Sequence, residues 1–197
     1  MPCDSLNKCV SLNVRTKTSD TDRLIAGLRR RDSQCQREAI TRYGRLVTSI
    51  VGAMAFDPRD TEELTQDTFI RAFAAIDSFN PQVSQLSTWL GRIAYHTAVD
   101  YLRRRGARPT EELCAEPPEP PATDADTDDT MLPELLYQAL ELIAPGERTA
   151  LQLVYFDKLT LEEAAYVLDT NANALSTRLY RIRNKLARII NELKNKQ

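Results

Sequence analysis

In the segment ALSTRLYRIRNKLARIINELK, Thr177, Tyr180, Arg181, Asn184 and Arg188 fall at helical spacing, with Arg178, Arg183 and Lys185 beside them. At about 100° per residue the first five share one side of a helix. Hydroxyl, phenol, amide and guanidinium groups arranged this way can read base edges in a major groove, while neighbouring cations hold phosphates. A solvated basic helix that closes a bundle would carry the same residues, so the segment alone leaves both readings open.

A second set lies on one stripe of another helix: Trp89, Arg92, His96, Asp100 and Arg103. Trp89 is the only tryptophan, and it stands among polar and cationic groups. An aromatic ring beside arginine is what stacking on an unpaired base requires. The alternative is a partly buried anchor where a loop meets the helix. The triplet Arg103, Arg104 and Arg105 can hold phosphates or complement the negative end of its own helix. A third set, Asp60, Glu63, Gln66 and Asp67, forms a polar face that is either solvated or a docking surface.

Catalysis finds no support. The six glycines do not cluster into a phosphate-cradling loop, and no nucleophile–base set can be drawn. The acid pair Glu162 and Glu163 is explained by helix capping, and the pair Asp128 and Asp129 by the acidic segment described below. Cys3, Cys9, Cys35 and Cys114 form no CxxC, and His96, the single histidine, has no cysteine at metal-ligand spacing. No cofactor, metal or small-molecule substrate is expected. Residues 1–18 lack the apolar run of a secretory signal, and Leu46 to Phe56 is far short of the roughly 20 residues of a membrane span. The expectation is a cytoplasmic protein with reduced cysteines and no membrane insertion.

The elements that must position these groups read as helices throughout. Runs of β-branched residues in period two are missing, so an all-α fold is expected. Between Thr110 and Leu132 there are eight acids, four prolines and no lysine or arginine. Such a stretch cannot bury enough apolar surface to order itself, and it reads as a flexible acidic linker over 109–131. It divides the chain into a helical unit over 19–108 and a second over 132–197, with residues 1–18 as a disordered tail. The division also explains the charge. The whole chain stands at −2 and the linker at −8, which leaves +6 for the remainder.

In the second unit, Pro133–Leu142 and Gly146–Phe156 read as helices on either side of the turn APGE. Thr160 and Glu163 form a capping box that opens a helix to about Leu168. Asp169, Thr170 and Asn171 supply a turn, and Asn171 caps the last helix. Its apolar stripe is Leu175, Leu179, Ile182, Leu186, Ile189 and Leu193. This is a helix-turn-helix, one helix bracing and the next lying in a groove. The first unit reads as four helices: one capped by Ser19, one over about Gln34 to Phe56, one capped by Asp60 with Leu64, Phe69, Phe73 and Ile76 inward, and one from Trp89 past Arg105.

With these motifs in place the chain resembles a bacterial RNA polymerase sigma factor of the extracytoplasmic-function type, which carries only regions 2 and 4. DTEELTQDTFIRAFAAIDSF looks like region 2.2, STWLGRIAYHTAVDYLRRR like regions 2.3 and 2.4, and LTLEEAAYVLDTNANALSTRLYRIRNKL like region 4.2. The resemblance spans about Thr21 to Leu193. It implies that Asp60, Glu63, Gln66 and Asp67 face the β′ subunit of core RNA polymerase. It implies that the loop from Asn80 to Ser87, Ser84 included, holds a base flipped from the −10 element, with Trp89, Arg92, His96, Asp100 and Arg103 along the melted strand. Asn173, Ser176, Thr177, Arg178, Tyr180, Arg181, Asn184 and Lys185 would meet the −35 element.

The expected partners are therefore core polymerase, through its β and β′ subunits, promoter DNA and an anti-sigma protein that is often membrane-bound. His96 stands where the family usually has Asn. NANALSTR replaces the common PxGTVRSR, and Ser176 replaces an arginine, so the promoter preference is this chain's own. The competing reading is a two-domain regulator whose helix-turn-helix binds an operator without polymerase.

Overall fold

The computed structural model describes residues 20–55, 57–106 and 132–195. All regular structure among them is helical, with no strand. The linker, the tail and the cap Ser19 lie outside the described residues.

The first half comprises α1 (20–29), α2 (Ser33–Ala55), α3 (Pro58–Ala75) and α4 (Leu86–Arg104). α1 ends with Arg31 at φ 62°, where Asp32 N–H bonds to Gly27 O and Arg31 N–H to Leu28 O. That closes the orphan carbonyls in a Schellman arrangement. Asp32 then accepts from Gln34 N–H at 2.9 Å and so caps α2. Gly27 lets the two helices approach closely, since a Cβ there would sit 2.2 Å from Cys35 Sγ.

α3 is capped one turn earlier than the sequence suggests. Asp57, not Asp60, accepts from Arg59 N–H at 2.8 Å, and Pro58 supplies the first helical position. Pro58 has no N–H to satisfy and a φ already suited to a helix, so it moves the start upstream. Asp60 is left inside the first turn. Leu64, Phe69 and Ile76 are buried as expected, and Phe73 packs half-buried at the edge.

The second half comprises α5 (Leu132–Glu141), α6 (Pro145–Leu151), α7 (Leu161–Val167) and α8 (Ala172–Lys194). The expected single helix to Phe156 instead loosens after Leu151 into a π-helical turn, Gln152–Phe156. The turn carries Tyr155 and Phe156 outward, both exposed. Leu153 of that turn and Leu175 and Ile182 of α8 are fully buried in one shared core. Each such side chain stabilises by roughly 1.5–3 kcal/mol relative to exposure.

The two halves pack against each other along a seam. Gly91 of α4 lies between Ile50 of α2 and Val167 of α7, and a Cβ at that position would come within 3.2 Å of both. Arg148 is buried and reaches across from α6, its Nε donating to Ala53 O at 2.9 Å while Nη1 donates to Leu140 O and Ile143 O. Burial pushes the pKa of its guanidinium down to about 10, and the charges of Glu141 and Glu147 oppose that fall. Ser49 of α2 donates to both carboxylate oxygens of Asp157 at 3.1 and 2.9 Å. Among the described residues, no helix is long and apolar enough to cross a membrane.

Candidate nucleic-acid interface

The geometry of the helix-turn-helix follows from its caps. Thr160 Oγ1 accepts from Glu163 N–H at 3.2 Å, and Glu163 Oε2 accepts from Thr160 N–H at 2.9 Å. α7 ends at Asp169, which takes φ 56°, with Thr170 N–H bonded to Ala165 O and Asp169 N–H to Tyr166 O. Aspartate tolerates this left-handed conformation better than most non-glycine residues. Asn171 Oδ1 then accepts from Ala174 N–H at 2.8 Å and starts α8. These bonds fix the angle at which α8 leaves α7.

Along α8, Leu175, Leu179, Ile182 and Leu186 are buried, which turns the opposite side outward. Asn173, Ser176, Thr177, Arg183 and Arg188 are exposed, and Arg178, Tyr180, Arg181 and Asn184 are half-buried. Thr177 Oγ1 donates back to Asn173 O at 3.1 Å. Lys185 is placed differently from its sequence neighbours. Its Nζ donates to Glu147 Oε2 at 3.1 Å, and Glu147 is only 1% exposed. In this arrangement the cation neutralises a buried carboxylate and does not point to solvent with Arg183 and Arg188.

Arg178 lies toward the first half. Burial raises the Tyr95 hydroxyl above the usual tyrosine range, and the cations of Arg178 and Arg103 oppose that rise. One guanidinium nitrogen of Arg178, Nη2, is buried without a hydrogen-bond partner.

In the first half, the loop before α4 is held by its own polar groups. Asn80 Oδ1 accepts from Gln82 N–H at 2.9 Å, and Asn80 O accepts from Val83 and Ser84 N–H. A cavity of about 450 Å³ opens beside it, lined in part by Phe79, Pro81, Ser84, Gln85 and Ser87. Ser84 Oγ is buried there without a hydrogen-bond partner.

Trp89 is half-buried and tilted against Phe79, with ring centroids 5.3 Å apart. This packing fits the reading of Trp89 as a partly buried anchor where the loop meets the helix. His96, Asp100 and Arg103 are exposed along the same helix, and Asp100 accepts from Arg71 at 3.3 Å. Arg92 is engaged across the seam. Its Nη2 lies 2.6 Å from Asp169 Oδ1, and its guanidinium carbon sits 4.9 Å from the centroid of the Tyr166 ring. Gln85 makes a second crossing bond, to Glu163 at 3.1 Å.

The polar face of α3 is also resolved into two parts. Asp60 accepts from Tyr101 of α4 and from Arg105 just past its end, the latter at 2.8 Å. Glu63 and Gln66 are exposed and Asp67 is half-buried. Among the described residues no group of three or more His, Cys, Asp or Glu could hold a metal ion.

Comparison with known proteins matches the two halves separately. Sigma-70 region 2 matches residues 39–108, and Sigma-70 region 4 matches residues 134–186. The ECF RNA polymerase sigma-E factor of Salmonella typhimurium is 28% identical over 185 residues, which is 83% of this chain and 90% of that protein. Among solved structures, CnrH in complex with the cytosolic domain of CnrY superposes with a TM-score of 0.63 at 22% identity, over 87% of this chain and 97% of that one. The sigma factor RpoE, in complex with the anti-sigma factor NepR from Bartonella quintana, gives a TM-score of 0.58 at 22% identity, over 79% and 96%.

Proposed function

The chain belongs to the sigma-70 family as a sigma factor of the extracytoplasmic-function type, and from that premise we propose a division of labour between its halves. It is a transcription initiation factor that directs RNA polymerase to promoters. The observation that carries this is the order of the two matched regions, 2 and then 4, in one chain whose second half ends in a capped helix-turn-helix.

The first half, over 19–108, binds core enzyme and captures the −10 element. Glu63, Gln66 and Asp67 meet the β′ subunit, with Asp60 bracing α3 against α4 from the same face. The cavity beside Ser84 takes an unpaired base, since a buried hydroxyl without a partner is a ready hydrogen-bonding group. Trp89, His96, Asp100 and Arg103 follow the strand. The second half, over 132–197, reads the −35 element with Asn173, Ser176, Thr177, Tyr180, Arg181 and Asn184, while phosphates fall to the exposed arginines of α8. Catalysis belongs to the polymerase. The linker over 109–131 passes through the enzyme near the RNA path, and an anti-sigma protein holds the chain inactive in the cytoplasm or at the membrane.

Assembly with purified core tests this reading. The chain should co-elute with core polymerase on gel filtration, and Asp67→Arg should weaken that association. A variant that binds core as tightly as the parent would remove Asp67 from the interface.

A further inference from the structure

Arg31 holds φ 62°, a left-handed backbone that is uncommon for a residue with a Cβ and free of cost for glycine. Such a conformation persists where the surroundings fix it. The Arg31 side chain is fixed at its far end, where Nη1 donates to Phe73 O and Nη2 meets Asp77 Oδ2 at 3.0 Å. Phe73 lies in the last turn of α3, whose carbonyls lack helical partners of their own. Two residues upstream, Arg29 Nη2 donates to Phe79 O at 2.9 Å. The ion pair with Asp77 is exposed on both sides and adds little, so the two carbonyl bonds carry the contact.

Between those carbonyls the chain makes one tight turn, Ile76–Ser78, and Asn80 then opens the loop before α4. The Phe79 ring packs on Trp89 and lines the cavity beside Ser84. Another part of the cavity wall is α1 itself, through Asp22 and Ile25. One helix thus supplies wall to the cavity and also grips the backbone from which the loop departs.

We propose that Arg29 and Arg31 are positioning residues that set the width of the base-binding cavity by tying the loop's point of departure to α1. The proposal rests on the reading of that cavity as the pocket for an unpaired base, and it adds two residues outside every DNA-facing stripe. Neither guanidinium touches DNA, and each acts through the main chain before the loop. Width matters because a gap of about 0.5–1 Å forfeits roughly a quarter to a half of the dispersion attraction between a base and its walls.

The test is the full chain, assembled with core polymerase, carrying Arg29→Met and Arg31→Gly. Glycine adopts φ 62° more readily than arginine, so the turn after α1 survives. The probe is forked promoter DNA bearing the elements recovered from run-off transcription, intact or with an abasic nucleotide at each downstream position in turn. Parent holoenzyme should lose about tenfold or more in affinity at one position, where the cavity is left without its base. The variant should bind the intact fork as weakly as the parent binds that abasic one, and should lose less than about twofold more there, since the two changes remove the same contact. Its affinity for core should match the parent's. Arg29→Lys alone keeps a donor for Phe79 O and should discriminate as the parent does.

A variant that discriminates the abasic position as sharply as the parent would overturn the clamp and leave the base pocket standing. A variant weakened equally for core enzyme would make the two arginines general supports of the fold and overturn the proposal too. A parent indifferent to an abasic nucleotide at every position would overturn the base pocket, and the clamp with it.

Discussion

Lys185 of α8 donates to Glu147 of α6 at 3.1 Å, and Glu147 Oε2 also accepts from Ala144 N–H at 3.0 Å. One carboxylate thus caps α6 and fixes α8. A buried charge that loses its partner typically costs 3–5 kcal/mol, so Lys185→Met should destabilise the chain by roughly 3 kcal/mol in urea unfolding. If Lys185 served only as a phosphate contact, the same substitution would leave stability intact and reduce the salt dependence of DNA binding.

Arg148 offers a second check on how the halves are joined. Its guanidinium satisfies Ala53 O, Leu140 O and Ile143 O together. Arg148→Met keeps much of the stem but leaves these carbonyls without their donor. An orphaned buried group costs about 1–3 kcal/mol, and water reaching Ala53 O as the seam opens would offset part of that. A loss of about 2–4 kcal/mol by urea unfolding is expected, together with a larger radius of gyration. Unchanged stability would show that the three carbonyls find other donors readily.

Acid pH should act on the seam through Asp157. Burial raises its carboxyl above the ordinary value, and the bonds from Ser49 and Gln152 and the charge of Arg45 oppose the rise. A raised acid holds its proton more tightly when folded. Its contribution is fully stabilising below the unfolded pKa and is lost as pH rises through the folded one. Asp157→Asn removes the charge and keeps an acceptor for Ser49. The variant should melt at or above the parent near pH 7, and the parent should gain on it as pH falls to about 4. A variant that melts lower by the same margin at every pH would contradict the burial argument.

Arg181 should separate reading from assembly. Arg181→Ala removes a half-buried guanidinium from α8, and the base contact proposed for it would be worth about 1–3 kcal/mol. Initiation that depends on the −35 element should fall by about tenfold or more, and core affinity should hold. Equal loss of core binding would refute the role.

Local rules made α7 and α8 legible in advance, because each cap is a short-range bond between residues three apart. Thr160 with Glu163 and Asn171 with Ala174 are visible as residue types at fixed spacing. The start of α3 was misplaced by three residues because Asp57 and Asp60 are both competent caps, and the proline between them decides. Lys185 could not be told from Arg183 and Arg188 by charge or spacing. Only the packing of α6 against α8 shows that it meets Glu147.

The seam was invisible for the same reason. An acidic, proline-rich stretch says that two halves are separate in the chain, and it carries no information on whether they touch. Nothing in the sequence around Gly91 marks it out, yet its missing Cβ is what lets Val167 approach α4. For Trp89 the sequence leaves anchor and stacking surface open, and the contact with Phe79 fits the anchor.

Run-off transcription with purified core polymerase on a pool of promoter fragments, with and without the chain, tests the central claim most directly. Transcripts that appear only with the chain, from templates sharing two spaced sequence elements, are the predicted result. No transcript and no core association, with tight binding of the chain alone to duplex DNA, would contradict the account and point to an operator-binding regulator.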